Sequence, residues 1–215
     1  MKNYIFPLLV FIAFFSYSNA QTVTIGSQIW MTKNLDVSTF RNGDPIPEVK
    51  TQDEWEKAAQ EGRPVWCHYE YKKKYGKKYG KIYNYFAVQD PRGLSPLGWH
   101  IPSNDEWQVL RDFLGGAEEC VAKLKSNKGW EDGLNGNNES GFDGLPGGES
   151  GNDNRFKHIK KNFAWWSSGD HSFFSLNEFL KFNTADVYGF PMDFTHNGIK
   201  KDIRSPGFYV RCLRD

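Results

Sequence analysis

The side chains best suited to binding chemistry lie in the polar stretch from Ser126 to Arg155. It consists mostly of Gly, Asn, Asp, Glu and Ser, whose polar side chains can hydrogen-bond hydroxyl groups. A connection of about 30 residues is uncommon in a compact domain and is usually functional or disordered. Trp130, Phe142 and Leu145 interrupt the polar run, so we expect these large side chains to pin an ordered loop to the domain.

A sugar site also needs an aromatic face beside such groups. Trp165 and Trp166 follow the loop, and neighbouring residues of a strand point to opposite faces. We favour burial of both rings in the core or beneath the loop, but the alternation also allows an outward-facing Trp166. The predicted ligand site therefore consists of four side chains: Asn138, Glu139, Asp143 and Trp166.

The same loop carries carboxylate and amide side chains, whose oxygen atoms are the ligands that Ca²⁺ prefers. They are Glu131, Asp132, Asn137, Asn138, Glu139, Asp143, Glu149 and Asp153. The Glu-Pro-Asn and Gln-Pro-Asp tripeptides and the Trp-Asn-Asp run of calcium-dependent lectins are absent. We therefore interpret these side chains as solvated and predict no cofactor, with a calcium ion as the alternative.

A competing site is the segment "YKKKYGKKYGKIY", which holds six lysines between Lys72 and Lys81 and interleaves Tyr75 and Tyr79 with them. Such a segment suits a polyanion, for example an acidic or sulfated glycan. We favour a solvated loop with the two tyrosines packed beneath it. Nucleic acid is not an expected partner, because the chain without its first 20 residues has no net charge.

An enzyme would need a nucleophile, a base and a cofactor site. His100 in "GWHIPSNDEW" is a candidate ligand or base, but no Cys, Asp or second His stands at a partner spacing. We therefore favour a histidine at the edge of the core that is bonded to backbone groups. No glycine-rich phosphate loop follows a strand, and no cluster has metal-ligand spacing. We expect a non-enzymatic protein and assign no catalytic residue.

The N-terminal residues are typical of a secretory signal. Lys2, an apolar run from Tyr4 to Phe15 and Ser18-Asn19-Ala20 predict cleavage after Ala20. The run is too short to span a bilayer, although an uncleaved anchor is the alternative. We expect a secreted, periplasmic or outer-surface protein with a single domain at 21–215 and no membrane span after cleavage.

Export bears on Cys67, Cys120 and Cys212. In an oxidising compartment the default for three cysteines is one disulfide and one free thiol. The residues alone leave all three pairings open, and three reduced thiols are the alternative.

The elements that position these groups can be predicted locally. Alternating residues around Gly26-Ser27 in segment 22–31 predict a hairpin. Thr51 with Glu54 predicts a capping box that begins a helix, and Gly62 ends it.

"SNDEW" predicts a second helix with the same device, because Ser103 and Glu106 form another capping box. Its predicted core face holds Trp107, Leu110, Phe113 and Leu114. Gly115-Gly116 ends it, and residues 117–125 predict a further helical turn with Cys120 and Leu124 on one face.

Strand-like pieces follow the loop, at 163–168, 179–182, 191–196, 199–203 and 208–213. Asn197-Gly198 between two of them predicts a hairpin. The last strand is expected to return to the first hairpin. A hairpin, two main helices, a long loop and then antiparallel strands predict an α+β domain.

Several segments in this order resemble the Fibrobacter succinogenes major paralogous domain family. They are "IGSQIWMTKNLD", "YGKIYNYFAVQDPRGLSPLGWHIPSNDEWQVLRDFLGG", "NESGFDGLPGG", "WWSS" and "GFYVRCLRD". The resemblance implies a C-type-lectin-like fold, related to that of the formylglycine-generating enzymes, with small twisted antiparallel sheets and long irregular loops. It also implies an exported or surface protein of bacteria related to Bacteroides, and it names no reaction.

The resemblance also bears on the cysteines. Many members place a Cys just before Pro-x-Gly-Trp-His, where this chain has Ser95. Others carry an upstream Trp-Cys, as Trp66-Cys67 does here, and the Cys of the final strand is kept as Cys212. The family pattern therefore implies a Cys67–Cys212 disulfide and leaves Cys120 buried beside Leu124.

Together these expectations predict a secreted or surface-exposed, non-enzymatic domain that binds a glycan or a protein. A structural or adhesive module of the cell envelope is the alternative, and an enzyme similar to the formylglycine-generating enzymes is the third.

Overall fold

The computed structural model describes residues 21–131, 133–151, 155–169, 172–175, 188–189 and 206–215. The predicted signal peptide at 1–20 lies outside these residues, as do the predicted strands at 179–182, 191–196 and 199–203 with their hairpin. The described part combines helices with antiparallel sheets, which confirms the α+β class. None of its helices is both long and apolar enough to cross a membrane.

The predicted N-terminal hairpin consists of β1 (Thr22–Ile25) and β2 (Gln28–Met31), which pair antiparallel. Gly26 in the turn has a φ of 60°, a left-handed conformation that glycine adopts without steric cost. β12 (Leu213–Arg214) pairs with β2 on one side and with β5 (Trp99–His100) on the other. The last strand thus returns to the first hairpin, as predicted.

Two further sheets complete the described part of the fold. One sheet consists of β3 (Trp66–Cys67), β4 (Ile82–Asn84), β6 (Glu149–Ser150), β7 (Phe156–Lys157) and β11 (Gly207–Phe208). Its strands lie in the order β3-β4-β11-β6-β7. The other has the order β10-β9-β8 and consists of β8 (Ala164–Trp166), β9 (Ser172–Ser175) and β10 (Tyr188–Gly189). Tyr209 forms an isolated bridge to Trp165, so the chain from β11 to β12 connects all three sheets.

The first main helix, α1 (Gln52–Gln60), begins and ends where the sequence predicts. Thr51 Oγ1 accepts a hydrogen bond from the backbone N–H of Glu54 at 3.2 Å. The Glu54 carboxylate accepts the Lys50 N–H at 2.6 Å, one residue earlier than in the standard capping box. At the other end Gly62, with a φ of 65°, closes the helix in a Schellman motif.

The second main helix, α4 (Asn104–Phe113), has the complete capping box. Ser103 Oγ accepts the Glu106 N–H at 3.2 Å, and the Glu106 carboxylate accepts the Ser103 N–H at 2.8 Å. The predicted turn that follows is α5 (Ala117–Leu124). The shorter helical segments are a 3-10 turn (Tyr69–Tyr71), α2 (Lys73–Tyr79) and α3 (Tyr85–Val88).

One residue of the predicted core face of α4 is mostly outside the core. Phe113 is 62% exposed, whereas Trp107 and Leu110 are each 1% exposed. Phe113 lies over the hairpin turn, where a Cβ on Gly26 would come within 2.9 Å of its ring. It therefore sits at the edge of the apolar stripe and covers the turn with one face.

Among the residues that the structure describes, the interior contains two hydrophobic clusters, which we call the Trp107 cluster and the Trp166 cluster after one member of each. Residues of the interior strands alternate between them. On β4, Ile82 belongs to the Trp107 cluster and Tyr83 to the Trp166 cluster. Because neighbours on a strand point to opposite faces, the strands run between two cores.

This arrangement explains both tryptophans of β8 and corrects the outward-facing alternative for Trp166. Trp165 belongs to the Trp107 cluster, Trp166 belongs to the other cluster, and both are 0% exposed. Trp166 Nε1 donates to the Tyr83 carbonyl at 2.8 Å. The strand alternation holds, but each face meets a core, so Trp166 offers no stacking surface to a ligand.

The implied disulfide is also wrong, since Cys67, Cys120 and Cys212 are all buried and unpaired. Cys67 lies in the Trp107 cluster and Cys212 in the Trp166 cluster. The two thiols therefore lie in different cores, and they form no disulfide in this structure. Cys120 is buried in the same cluster as Leu124, as expected.

The polar loop is pinned to the domain by the three predicted side chains. Phe142 is fully buried, Trp130 is 7% exposed, and Leu145 packs against the Trp107 cluster. Trp130 Nε1 donates to Ser126 Oγ at 3.0 Å. The described part of this loop is thus ordered by its aromatic side chains, and most of its polar side chains, with the exception of the buried Ser126 and Ser150, are at least partly exposed.

Candidate functional site

A pocket of about 140 Å³ lies where the end of α2 meets the segment after β2 and the polar loop. We call it the α2–loop pocket. Its wall comes from four parts of the chain: Thr32, Lys33, Asn34 and Asp36 after β2; Gly76, Lys77, Lys78, Tyr79 and Gly80 around the end of α2; Asp143 and Leu145 of the loop; and Arg211 before β12. Hydroxyl, amide, carboxylate and cationic groups converge there, so the pocket suits a polar ligand.

Asn34 fixes three parts of this wall relative to each other. Its Nδ2 donates to the carbonyl of Tyr79, the last residue of α2, at 2.8 Å. Its Oδ1 accepts hydrogen bonds from Trp165 Nε1 at 2.7 Å and from Arg211 Nε at 3.1 Å. One amide side chain therefore ties the end of α2 to a core tryptophan and to the arginine.

The close approach of α2 to Asn34 depends on Gly80. Gly80 has a φ of 81°, and a Cβ there would lie 3.1 Å from the Leu35 carbonyl oxygen and 3.2 Å from Asn34 Cβ. Any other residue would add backbone strain and crowding at this point. The glycine that ends "KKYG" is thus a requirement of the pocket wall.

Arg211 lines the pocket from within the core and is 1% exposed. Beside its bond to Asn34, its Nη1 donates to the carbonyls of Met31 at 3.1 Å and Phe142 at 2.9 Å. The guanidinium carbon lies 4.6 Å from the Phe142 ring centroid and 5.3 Å from that of Trp165. Cation–π contact and neutral oxygens thus hold the charged group in place.

No carboxylate of the described residues lies within ion-pair distance of Arg211, although Asp143 lines the same pocket. Burial lowers the pKa of Arg211 to about 9, and the negative charge of Asp143 opposes that shift. Arg211 is therefore a buried cation at neutral pH without a counter-ion beside it in the described part of the protein.

The two competing sites predicted from the sequence meet in this pocket. Lys77 and Lys78 come from the lysine segment, and Asp143 comes from the polar loop. The lysine segment forms the helix α2, whereas a solvated loop was predicted. Its tyrosines pack beneath the lysines as expected: Tyr79 is 4% exposed, and Tyr75 packs against the Trp107 cluster.

The six lysines do not form one continuous patch. Lys81 is buried and pairs with Asp36, whereas Lys72 pairs with Glu70 at 2.8 Å. Of these six lysines, only Lys77 and Lys78 line the pocket.

Of the four residues predicted as a ligand site, only Asp143 lines the α2–loop pocket. Asn138 has a structural role, because its Oδ1 accepts the Asp143 N–H at 2.9 Å. Both residues have left-handed φ angles, 50° for Asn138 and 54° for Asp143, which Asn and Asp tolerate. Glu139 is exposed and is not part of the pocket wall, and Trp166 is buried elsewhere.

The oxygen ligands proposed for calcium are dispersed. Glu131 pairs with Lys161 at 2.9 Å, and Glu149 lies 3.0 Å from His158. Residues 132 and 153 lie outside the described part. Within that part, no three His, Cys, Asp or Glu residues are grouped so that they could hold a metal ion.

His100 is bonded to carboxylates, whereas backbone groups were predicted. Its Nδ1 lies 2.8 Å from Asp215 Oδ1, and its Nε2 lies 2.9 Å from Glu106 Oε1. Burial by itself would lower the pKa of His100, but the hydrogen bonds to the two carboxylates raise it. Both ring nitrogens are engaged, so the cluster ties β5 to α4 and to the C-terminal residue. Glu106, six residues on, was the partner that the spacing argument overlooked.

None of the three cysteine thiols is activated as a nucleophile. Burial raises the pKa of Cys120 and Cys212 to about 12 and raises that of Cys67 well above its ordinary value. Reactive cysteines have lowered pKa values, because the thiolate is the nucleophile.

Sequence reasoning missed Asn34 and Arg211, the two residues around which the pocket is built. The segment "FYVRCL" contains a signal for Arg211. Arg211 is two residues from both Tyr209 and Leu213, so on a strand it faces the same side as they do, which is the Trp107 cluster. A charged residue at an inward-facing strand position is unusual unless it is paired. Asn34 carries no comparable signal.

Searches of curated proteins and of solved structures return no significant match to the chain. The profile of the Fibrobacter succinogenes major domain matches residues 23–214. This range contains almost the whole chain from the first hairpin to the last strand, including every residue of the α2–loop pocket. The chain therefore belongs to the Fibrobacter succinogenes major domain family.

Proposed function

We propose that this domain is a secreted or surface-exposed, non-enzymatic module that binds a glycan in the α2–loop pocket. The observation that carries the proposal is the convergence of Asp143, the α2 lysines and the buried Arg211 on one small polar cavity. Sugar hydroxyl groups are recognised by carboxylate, amide and cationic side chains of this kind, held on a rigid frame.

The geometry of the wall supports recognition of a small ligand. Asn34 holds α2 against Arg211, and the loop is anchored by Phe142, so the lining groups are positioned before a ligand arrives. Preorganisation lowers the entropic cost of binding. The C-type-lectin-like fold that the family resemblance implies also carries its variable chemistry on long loops.

The state of the reactive groups supports binding over catalysis. The thiols of the described residues are buried with raised pKa values, and both nitrogens of His100 are occupied by carboxylates. The proposed export rests on the N-terminal pattern Lys2, Tyr4–Phe15 and Ser18-Asn19-Ala20.

A glycan array with the exported protein, with and without calcium, tests the proposal. Lys77→Trp would obstruct the pocket from its exposed rim, whereas Lys73→Trp places the same ring on α2 outside the lining. We expect binding to at least one glycan class that is lost in Lys77→Trp, retained in Lys73→Trp and unchanged by calcium removal. If no glycan binds, or if Lys77→Trp binds as the wild type does, the proposal is wrong and a structural envelope module becomes the better interpretation.

A further inference from the structure

The buried charge of Arg211 is the feature of the pocket that most needs a partner. A fully buried cation is normally paired with a carboxylate or another anion, because its desolvation is costly. Here the acceptors in contact with the guanidinium are the neutral oxygens of Asn34, Met31 and Phe142. No carboxylate of the described residues thus lies at ion-pair distance from the guanidinium, and Asp143 acts on it only through its charge.

The hydrogen bonds also leave a specific donor unused. Nε donates to Asn34, and Nη1 donates to Met31 and Phe142, which uses three of the five N–H groups of the side chain. Nη2 has no acceptor among the described residues. Because Arg211 lines the pocket, Nη2 is the donor that a ligand there would meet.

The rim adds to this positive charge. Lys33, Lys77 and Lys78 line the pocket with Arg211, against the carboxylates of Asp36 and Asp143. Asp36 is neutralised by Lys81 from outside the lining. One carboxylate, that of Asp143, is thus left facing four cations, and it makes no hydrogen bond or ion pair with a described residue.

We propose that the α2–loop pocket binds the anionic group of its ligand, a carboxylate or a sulfate or phosphate ester, through Arg211 Nη2 with Lys77 and Lys78 at the rim. The inference rests on the proposed function and names the ligand class as an acidic glycan. Asp143 sits beside the anion, where it repels the anion but can accept a hydrogen bond from a sugar hydroxyl.

The experiment uses simple probes at constant ionic strength. D-glucuronate, its neutral methyl ester, glucose 6-sulfate and inorganic phosphate are titrated into the exported protein by calorimetry. In parallel, the Arg211 Nε–Hε signal is followed by ¹⁵N NMR. We expect D-glucuronate to bind at least tenfold more tightly than its methyl ester, because charge-assisted bonds are about twice as strong as neutral ones. The Arg211 signal should shift on binding. The affinities for glucose 6-sulfate and for inorganic phosphate show which anionic group the pocket binds more tightly.

Three variants test the assignment without relying on a change at the buried arginine. Lys77→Gln with Lys78→Gln should weaken D-glucuronate binding at least fivefold, whereas Lys73→Gln with Lys74→Gln, on the same helix but outside the lining, should not. Asp143→Asn should tighten phosphate binding about threefold, because it removes one like charge several ångström away. Asn tolerates the left-handed φ of position 143.

Other results would overturn the inference. Equal binding of D-glucuronate and its methyl ester, blocked by Lys77→Trp, would leave the glycan site standing but refute the anion anchor. Equal weakening by the two lysine pairs would show diffuse charge attraction instead of a site. An unmoved Arg211 signal at saturation, or no tightening in Asp143→Asn, would also contradict it.

Discussion

The cysteines allow a sharp test of the tertiary structure. Cys67 and Cys212 belong to different hydrophobic clusters, and Cys120, which shares the Trp107 cluster with Cys67, is a free thiol as well. We therefore predict that the exported, folded protein contains three thiols even in an oxidising compartment. Reduction should then leave its thermal stability unchanged.

The stabilisation expected from the alternative, a Cys67–Cys212 disulfide, is large enough to make this prediction testable. A Cys67–Cys212 bond would close most of the chain into one loop and would stabilise the fold by about 5 kcal/mol on the chain-entropy model. For a protein of this size about 1 kcal/mol corresponds to roughly 2–4 °C in Tm. Reduction of such a bond would therefore lower Tm by about 10–20 °C.

The assay combines thermal unfolding with thiol counting. We expect the same Tm with and without dithiothreitol. A thiol reagent should find almost no reactive cysteine in the native protein, since burial raises all three pKa values, and three per chain in guanidinium chloride. One thiol per unfolded chain and a Tm that drops by 10 °C or more on reduction would refute the placement of Cys67 and Cys212 in different hydrophobic clusters.

Three further predictions concern stability. Trp166→Ala should destabilise the protein by about 3–5 kcal/mol in urea unfolding, because the ring is fully buried; a loss below about 0.5 kcal/mol, typical of surface positions, would place the ring at the surface after all. Ser103→Ala should cost about 1 kcal/mol through loss of the helix cap, with Ser103→Thr as the control that keeps the hydroxyl. The raised pKa of His100 stabilises the fold below about pH 6.5, the unfolded value, and this contribution is lost as the pH rises through the folded pKa. Unfolding free energy should therefore fall on going from pH 6 to pH 9, and His100→Gln should flatten that part of the profile; identical slopes for both proteins would contradict the carboxylate clamp.

Local elements were predictable because their causes are local. The hairpin at Gly26, the cap at Thr51 and the capping box at Ser103 depend on groups within a few residues of each other, and all three are confirmed. The anchoring of the polar loop by Trp130 and Phe142 was also predictable, because large apolar side chains in a polar run have few other places to go.

Errors arose where a pattern leaves the direction of a face undetermined. Strand alternation correctly separates Trp165 from Trp166, but it cannot tell whether the second face meets water or a second core. The Cys67–Cys212 pairing, which the family resemblance implied, fails because the two thiols lie in different clusters. Only the packing of strands between two clusters decides both cases.

The pocket shows the same division between sequence and tertiary structure. From the sequence alone, the lysine segment and the loop residue Asp143 are separate candidates with competing chemistry. Asn34 and Arg211 are 177 residues apart in the chain, yet their 3.1 Å contact holds the wall together. Hydrophobic collapse is non-directional and fixes no such pairing by itself. Sequence therefore determined which groups are available for binding, and the tertiary structure decided which of them meet, because the return of the last strand beside the first hairpin places Arg211 behind Asn34.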